Sequence, residues 1–259
     1  MGRDLEEPAG LKPLDWHTRY LLQSGWTAEI RKYLYQRASI QDARRILEVG
    51  CGSGVICSGL HHDGRSDVVG LDIDLSILRL AKDLDKPGYY TNGDAMSLPF
   101  SSQTFDSVVC HYFLLWVTDP GAALKEMVRV CRSGGSVLAL AEPDFGGRID
   151  YPDELIKPGK LQADSLKRQG ADPLAGRQLS SWFHRAGLVA VEYGVLGGQW
   201  RNVPEEATRA SEWLMLKHDL EGILSSEELE QFRIIEENAW KDGSRVLFIP
   251  TFYAFGRAK

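Results

Sequence analysis

Three glycines alternate in Glu48-Val49-Gly50-Cys51-Gly52-Ser53-Gly54, directly after the apolar residues Ile46 and Leu47 and with an acid at the head of the run. Glycine permits a tight turn there and leaves backbone amides bare for a carboxylate, a phosphate or a polar sugar. Asp72 closes a second apolar run about twenty residues beyond the loop, where a carboxylate can accept hydrogen bonds from both hydroxyls of a ribose. Together these residues call for a ribose-bearing cofactor. Dinucleotide-binding loops are spaced G-x-G-x-x-G; this loop runs G-x-G-x-G. Glu48 would sit badly beside a pyrophosphate and suits a cofactor that carries an amino group.

Further residues with usable chemistry follow later apolar runs. His111, Tyr112, Glu142 and Asp144 all do so. Histidine titrates near neutrality, so His111 is the candidate general base if an acceptor must lose a proton; a structural histidine bonded to cofactor or backbone is the alternative. Glu142 and Asp144 either orient a polar substrate or cap a turn. Trp16, Tyr20, Trp26, Trp116, Trp200 and Trp213 would wall a pocket for a planar or largely apolar small molecule, or pack ordinary core. No metal site is expected. The histidines lack ligand spacing, and the adjacent His61 and His62 do not converge on a helix face. The cysteines form no C-x-x-C, and Cys57 and Cys131 are expected in helices.

The elements that must position these residues are legible from periodicity. Trp16 to about Ile40 repeats apolar residues at helical spacing, which predicts one or two helices. Strands are expected at Arg45–Val49, Val68–Asp72, Tyr89–Asp94, Phe105–Cys110 and Gly135–Ala141. Helices are expected between them at Val55–Leu60, Ser76–Asp83 (with Ser76 as cap) and Ala122–Cys131. Strands alternating with helices, each strand nearly all apolar, predict a doubly wound α/β fold around a parallel sheet covered on both faces. Beyond it, Asp144–Leu174 reads as loop and short helix, Gly176–Ala186 as helix and Leu188–Val195 as a sixth strand. Pro204 to about Trp240 reads as helices and Arg245–Gly256 as one last strand. The helical parts are expected to form a partial lid over the carboxyl edge of the sheet.

Several of these segments resemble a known family. Leu47–Gly54 resembles motif I of the class I methyltransferases, and Gly70-Leu71-Asp72-Ile73-Asp74 resembles their acidic ribose motif. Gly93-Asp94-Ala95-Met96-Ser97-Leu98-Pro99-Phe100 is similar to the adenine-side segment of the type 11, quinone-biosynthesis C-methyltransferase-like branch. Phe105–Val109 and Leu124–Val130, followed by Ser133-Gly134-Gly135, match its fourth strand and the turn into its fifth. The likeness is tight over residues 43–142 and loose over Phe252–Arg257.

This resemblance implies a Rossmann-like, seven-stranded, mostly parallel sheet with an antiparallel strand inserted. It implies S-adenosylmethionine as cofactor and methyl transfer to oxygen, nitrogen or carbon of a small-molecule acceptor. Gly50, Cys51 and Gly52 would meet its methionine part, Asp72 its ribose and Ile73 its adenine. Asp94 would accept from the adenine amino group, with Ala95 and Met96 beside it. His111 would lie near the methionine or the transferred methyl, and Arg19 would pair with the cofactor carboxylate or form a surface salt bridge. A single domain is expected: residues 1–42 an N-terminal helical cap, 43–142 the cofactor core, 143–245 with the lid and 246–259 the last strand.

The bulk properties are compatible. The chain has 259 residues, 43% of them hydrophobic, enough for one sizeable core. A net charge of −6 and the lack of any Lys/Arg run argue against nucleic-acid acceptors. No run approaches a membrane span and the N-terminus has no apolar stretch for a signal peptide, so a cytoplasmic protein with reduced thiols is expected. The alternatives left open are a cofactor-binding scaffold without turnover and, on loop spacing a poorer match, a nicotinamide-dependent oxidoreductase.

Overall fold

The computed structural model describes residues 13–61, 67–85, 88–197 and 203–259; Trp200 and His62 lie outside the described residues. Two helices come first, α1 (Pro13–Trp26) and α2 (Ala28–Ala38). There follow β1 (Arg45–Val49), α3 (Val55–His61), β2 (Asp67–Asp72), α4 (Leu75–Leu84), β3 (Tyr89–Asn92), β4 (Phe105–Cys110), α5 (Pro120–Val130) and β5 (Cys131–Pro143). The remainder comprises β6 (Ile149–Tyr151), α6 (Ile156–Arg168), α7 (Ala175–Arg185), β7 (Val189–Val195), α8 (Glu206–Asp219), α9 (Ser226–Asp242), β8 (Val246–Phe248) and β9 (Thr251–Arg257).

Seven strands form one sheet in the order β3-β2-β1-β4-β5-β9-β7. β9 runs antiparallel to both its neighbours, β5 and β7, and the other pairings are parallel. Strand order reverses between β1 and β4, which puts the loop after β1 at the switch point where ligands of such sheets bind. Along β1, Leu47 and Val49 pack with α5 and α7 residues such as Leu124, Met127, Leu179 and Phe183. Ile46 faces the other way and packs with Leu34 and Ala38 of α2, Ile56 and Cys57 of α3 and Leu78 of α4. A strand covered on both faces is apolar nearly throughout, which is why these strands were legible.

The expected helix and strand ends need four corrections. Asp74, not Ser76, caps α4: its carboxylate accepts from the Ser76 amide at 2.7 Å. Cys131 opens β5 instead of ending a helix. Asp144–Leu174 is more ordered than its Pro- and Gly-rich composition suggests, holding β6 and the 13-residue α6. Pro158 is tolerated because it falls in the first turn of α6, where amides have no intrahelical acceptor. Arg245–Gly256 is two strands, not one: β8 pairs with β6 in a separate ribbon, and only β9 joins the main sheet. α6 lies against β6 of this ribbon and packs in turn on α8, with Leu161, Trp213, Leu216, Leu220 and Leu229 in one cluster that also takes in α9. No described helix is long and apolar enough to cross a membrane.

Candidate active site

Gly50, Gly52 and Gly54 turn between β1 and α3 with φ of 72°, 50° and 78°, a region costly for side-chain-bearing residues. The Gly50 and Cys51 amides donate to the Leu71 carbonyl at 2.8 and 3.0 Å, tying the loop to the end of β2. Aromatic rings fill the space a side chain would need. A Cβ at Gly52 would lie 2.8 Å from the Tyr20 ring of α1, and one at Gly50 only 2.1 Å from the Phe113 ring. α1 therefore lies across the loop, fastened also by His17 Nδ1 and Ser53 Oγ at 2.7 Å. Phe113 and Thr27 were not identified as site residues from sequence, where nothing separates them from ordinary core positions; Tyr20, expected as a pocket wall or core residue, packs on the glycine loop.

Asp72 accepts from the Gly52 amide at 2.8 Å through Oδ2 and from the Asp74 amide at 3.0 Å through Oδ1. Burial raises its pKa, and these amides oppose the rise by favouring the charged form. Each carboxylate oxygen retains a lone pair for a hydroxyl, so the residue fits a ribose. Ile73 is 55% exposed just beyond it, its carbonyl held by Asn92 Nδ2 at 2.8 Å. Asp94 follows β3 and accepts from the Met96 amide at 2.8 Å. Ala95 is buried, and Met96 is 38% exposed. Strand order aligns Gly50, Asp72 and Asp94 along one edge of the sheet, at the ends of β1, β2 and β3.

The other acids have different partners. Glu48 is 2% exposed, and its Oε2 accepts from the Cys57 amide at 2.9 Å and the Cys57 thiol at 2.8 Å. In this structure it fastens α3 to β1 and does not face the open side of the loop; burial pushes its pKa up to about 8. Glu142, expected either to orient a substrate or to cap a turn, is 0% exposed. Its carboxylate accepts from the Phe113, Leu114 and Leu115 amides at 2.9, 2.8 and 3.3 Å, and burial raises its pKa to about 7. Asp144 pairs with Arg177, with Nη2 at 2.7 Å, and caps the Gly147 amide at 3.2 Å. Both are turn caps, because a buried carboxylate is stable only where donors converge on it.

His111 follows β4, and its Nε2 meets the Thr27 hydroxyl at 2.9 Å. Burial, seconded by the Arg31 charge, lowers its pKa to about 3, so the imidazole is neutral at physiological pH. Tyr112 adopts φ of 50°, where non-glycine residues stand only when the surroundings hold them; its amide donates to the Ala141 carbonyl at 2.8 Å. Its hydroxyl interacts with Thr251, and burial raises its pKa to about 12. Trp26 and Trp116 are 44% and 40% exposed. Arg19 forms the salt bridge and not a free cation: it pairs with Glu212 of α8 and lies 4.7 Å from the Trp26 ring centroid.

A family model described as a methyltransferase domain matches residues 47–139. An uncharacterised methyltransferase of Schizosaccharomyces pombe is 29% identical over 237 residues, covering 84% of this chain and 85% of that protein. Demethylmenaquinone methyltransferase of Bacillus subtilis is 32% identical over 175 residues, covering 60% of this chain and 75% of that enzyme. The structure of Haemonchus contortus phosphoethanolamine N-methyltransferase 2 in complex with S-adenosyl-L-methionine shares the fold, with a TM-score of 0.53 at 17% identity over 83% of this chain and 49% of that one. These likenesses set aside the oxidoreductase and scaffold alternatives. The chain belongs to the class I S-adenosylmethionine-dependent methyltransferases, in their type 11 branch.

Proposed function

We propose that this methyltransferase acts on a small, largely aromatic or apolar acceptor, at oxygen, nitrogen or carbon, and that His111 is a positioning group and not the base. The observation that carries the acceptor class is the withdrawal of acids from the site. Glu142 and Asp144 are 0% and 1% exposed and engaged by backbone amides or arginine, while Trp26 and Trp116 remain open. A net charge of −6 favours a small molecule over a nucleic acid. Demethylmenaquinone, named in the Bacillus subtilis relative, is the first acceptor to test.

S-adenosylmethionine supplies an electrophilic methyl group for in-line displacement, so the chain's main task is alignment. In this reading Gly50, Cys51 and Gly52 present backbone to the methionine part, and Asp72 accepts from the ribose hydroxyls. Ile73, Ala95 and Met96 flank the adenine, and Asp94 accepts from its amino group. Trp26, Tyr112 and Trp116 border the acceptor.

Calorimetry with S-adenosylhomocysteine is expected to give micromolar binding, about −8 kcal/mol. Asp72→Ala is expected to weaken it by about a hundredfold, as loss of charge-assisted hydrogen bonds would. Absence of heat with folded wild-type protein would overturn the cofactor placement. Turnover confined to charged acceptors in a library assay would overturn the acceptor class.

A further inference from the structure

The segment between β3 and β4, residues 93–104, is a run of turns that begins with Gly93 and Asp94. Two side chains of α5 grip its main chain. Arg129 Nη1 donates to the Phe100 carbonyl at 2.8 Å, and Nη2 donates to the Leu98 carbonyl at 3.0 Å. Glu126, one turn earlier on α5, accepts from the Leu98 amide at 2.9 Å. The two side chains also pair with each other, Nε to Oε1 and Nη2 to Oε2, both at 2.7 Å. With Ser102 Oγ at 3.5 Å from Nη1, all five N–H groups of the guanidinium meet an acceptor. The backbone of α5 takes the far end of the segment: the Gln103 and Thr104 amides donate to the Arg129 and Val130 carbonyls at 2.9 and 2.8 Å.

An ion pair three residues apart on a helix is ordinarily solvated and of little consequence. This one differs because its remaining donors and acceptor are taken up by the main chain of another segment. The grip reaches Asp94. Leu98 is buried. Behind it the Ser97 amide donates to the Asp94 carbonyl at 3.0 Å, and the Met96 amide donates to the Asp94 carboxylate at 2.8 Å. A Cβ at Gly93 would lie 3.2 Å from Pro99 Cδ, so the segment folds back tightly on itself. Two hydrogen bonds thus span the stretch from the anchored Leu98 to the Asp94 carboxylate.

We propose that Arg129, braced by Glu126, is a positioning residue for base recognition: it fixes the Asp94 carboxylate where it accepts from the adenine amino group. The proposal rests on the adenine placement given above. Arg129 acts through the main chain of Leu98–Phe100. A lysine there would keep the charge, but it has no planar fork to hold two carbonyls and a carboxylate at once. Bonds from Arg129 hold the Glu126 carboxyl below its ordinary range, so the brace stays ionised.

The test compares S-adenosylhomocysteine with S-inosylhomocysteine, in which an oxo group, an acceptor, replaces the donating amino group; the weaker ligand is measured by competition. Wild-type protein is expected to prefer S-adenosylhomocysteine by about a hundredfold. Arg129→Lys is expected to weaken S-adenosylhomocysteine by about tenfold and S-inosylhomocysteine by less than about threefold, so the preference narrows. In an Asp94→Ala background, Arg129→Lys is expected to weaken S-adenosylhomocysteine by less than about twofold more, because both substitutions act on one contact. Equal losses for the two ligands, an undiminished preference, or full additivity with Asp94→Ala would each overturn the assignment and leave the pair as a brace for the fold alone. Should Arg129→Lys fail to fold, Glu126→Gln carries the same comparison, because it keeps an acceptor of the same size and loses the charge. Failure of the adenine placement is distinct: wild-type protein would then bind the two ligands alike, which overturns that placement and this inference together.

Discussion

Glu48, Asp72 and Glu142 are carboxylates in three parallel strands of one sheet, β1, β2 and β5, and their partners divide their roles. Asp72 takes amides from the glycine loop and the turn after β2, at the edge of the sheet. Glu48 and Glu142 take amides inside the protein, and their pKa values rise to about 8 and about 7 because burial penalises the charge. Folded protein therefore holds a proton on Glu48 between about pH 4.3, the ordinary glutamate value, and about pH 8. It binds more protons than the unfolded chain in that window, so the contribution to stability is complete below it and lost as pH rises through it. Glu48→Gln cannot ionise and can still offer a carbonyl to the Cys57 amide. Its melting temperature relative to wild type should climb from pH 5 to pH 8; parallel curves would refute the raised pKa. His111 shifts the opposite way. An NMR titration should find its imidazole neutral down to pH 5, and a midpoint near 6.5 would restore it as a candidate base.

Among the elements, α1 carries the most consequence for the site. It packs across the glycine loop through Tyr20 and His17 and reaches α8 through Arg19 and Glu212. The arginine and glutamate side chains are 14% and 28% exposed, so solvent screens the pair only in part, and losing the charge while keeping an acceptor should cost on the order of 1–2 kcal/mol. Its effect should be local: Glu212→Gln is expected to speed amide exchange in α8 while leaving β1 and β4 protected. Exchange unchanged in α8 would mean that other contacts hold the helix. α6 shows how close approach selects a glycine, since a Cβ at Gly159 would lie 2.4 Å from the Asp150 carboxylate and 2.7 Å from Arg148.

Across the whole molecule, a buried ionic network anchors the appended layer. Asp150 of β6 accepts from Arg148 Nε at 2.6 Å and Arg245 Nη2 at 3.0 Å, and Arg245 also bonds Glu236 of α9 at 3.0 Å. Arg148 continues to Gln162 of α6, which donates to Asp219 of α8 at 2.7 Å. The side chains of Asp150 and Arg245 are 3% and 2% exposed. Asp150→Ala would strand two guanidinium groups in the interior and should cost about 3–5 kcal/mol in urea unfolding. A loss below about 1 kcal/mol would mean that Glu236 and Gln162 suffice to satisfy both arginines.

By itself the sequence determined the doubly wound core and the glycine loop, because those features are local. A strand buried on both faces is a continuous apolar run, and a turn that packs against rings admits only glycine. Asp72 was expected from its place at the end of an apolar run about twenty residues past the loop, whereas Asp94 was singled out only through the family resemblance. The polar residues of the later chain were not legible in this way. From the sequence Glu142 and Asp144 could orient a substrate or cap a turn, and tertiary structure decides for the second by turning them onto amides and Arg177. Arg19 and Arg31 are equivalent cations in the sequence; folding pairs one with Glu212 and turns the other onto the Ser24 carbonyl. The β6–β8 ribbon joins segments about a hundred residues apart, a pairing no local pattern encodes. Burial and partner decide what an acid or a cation does, and both are properties of the folded chain.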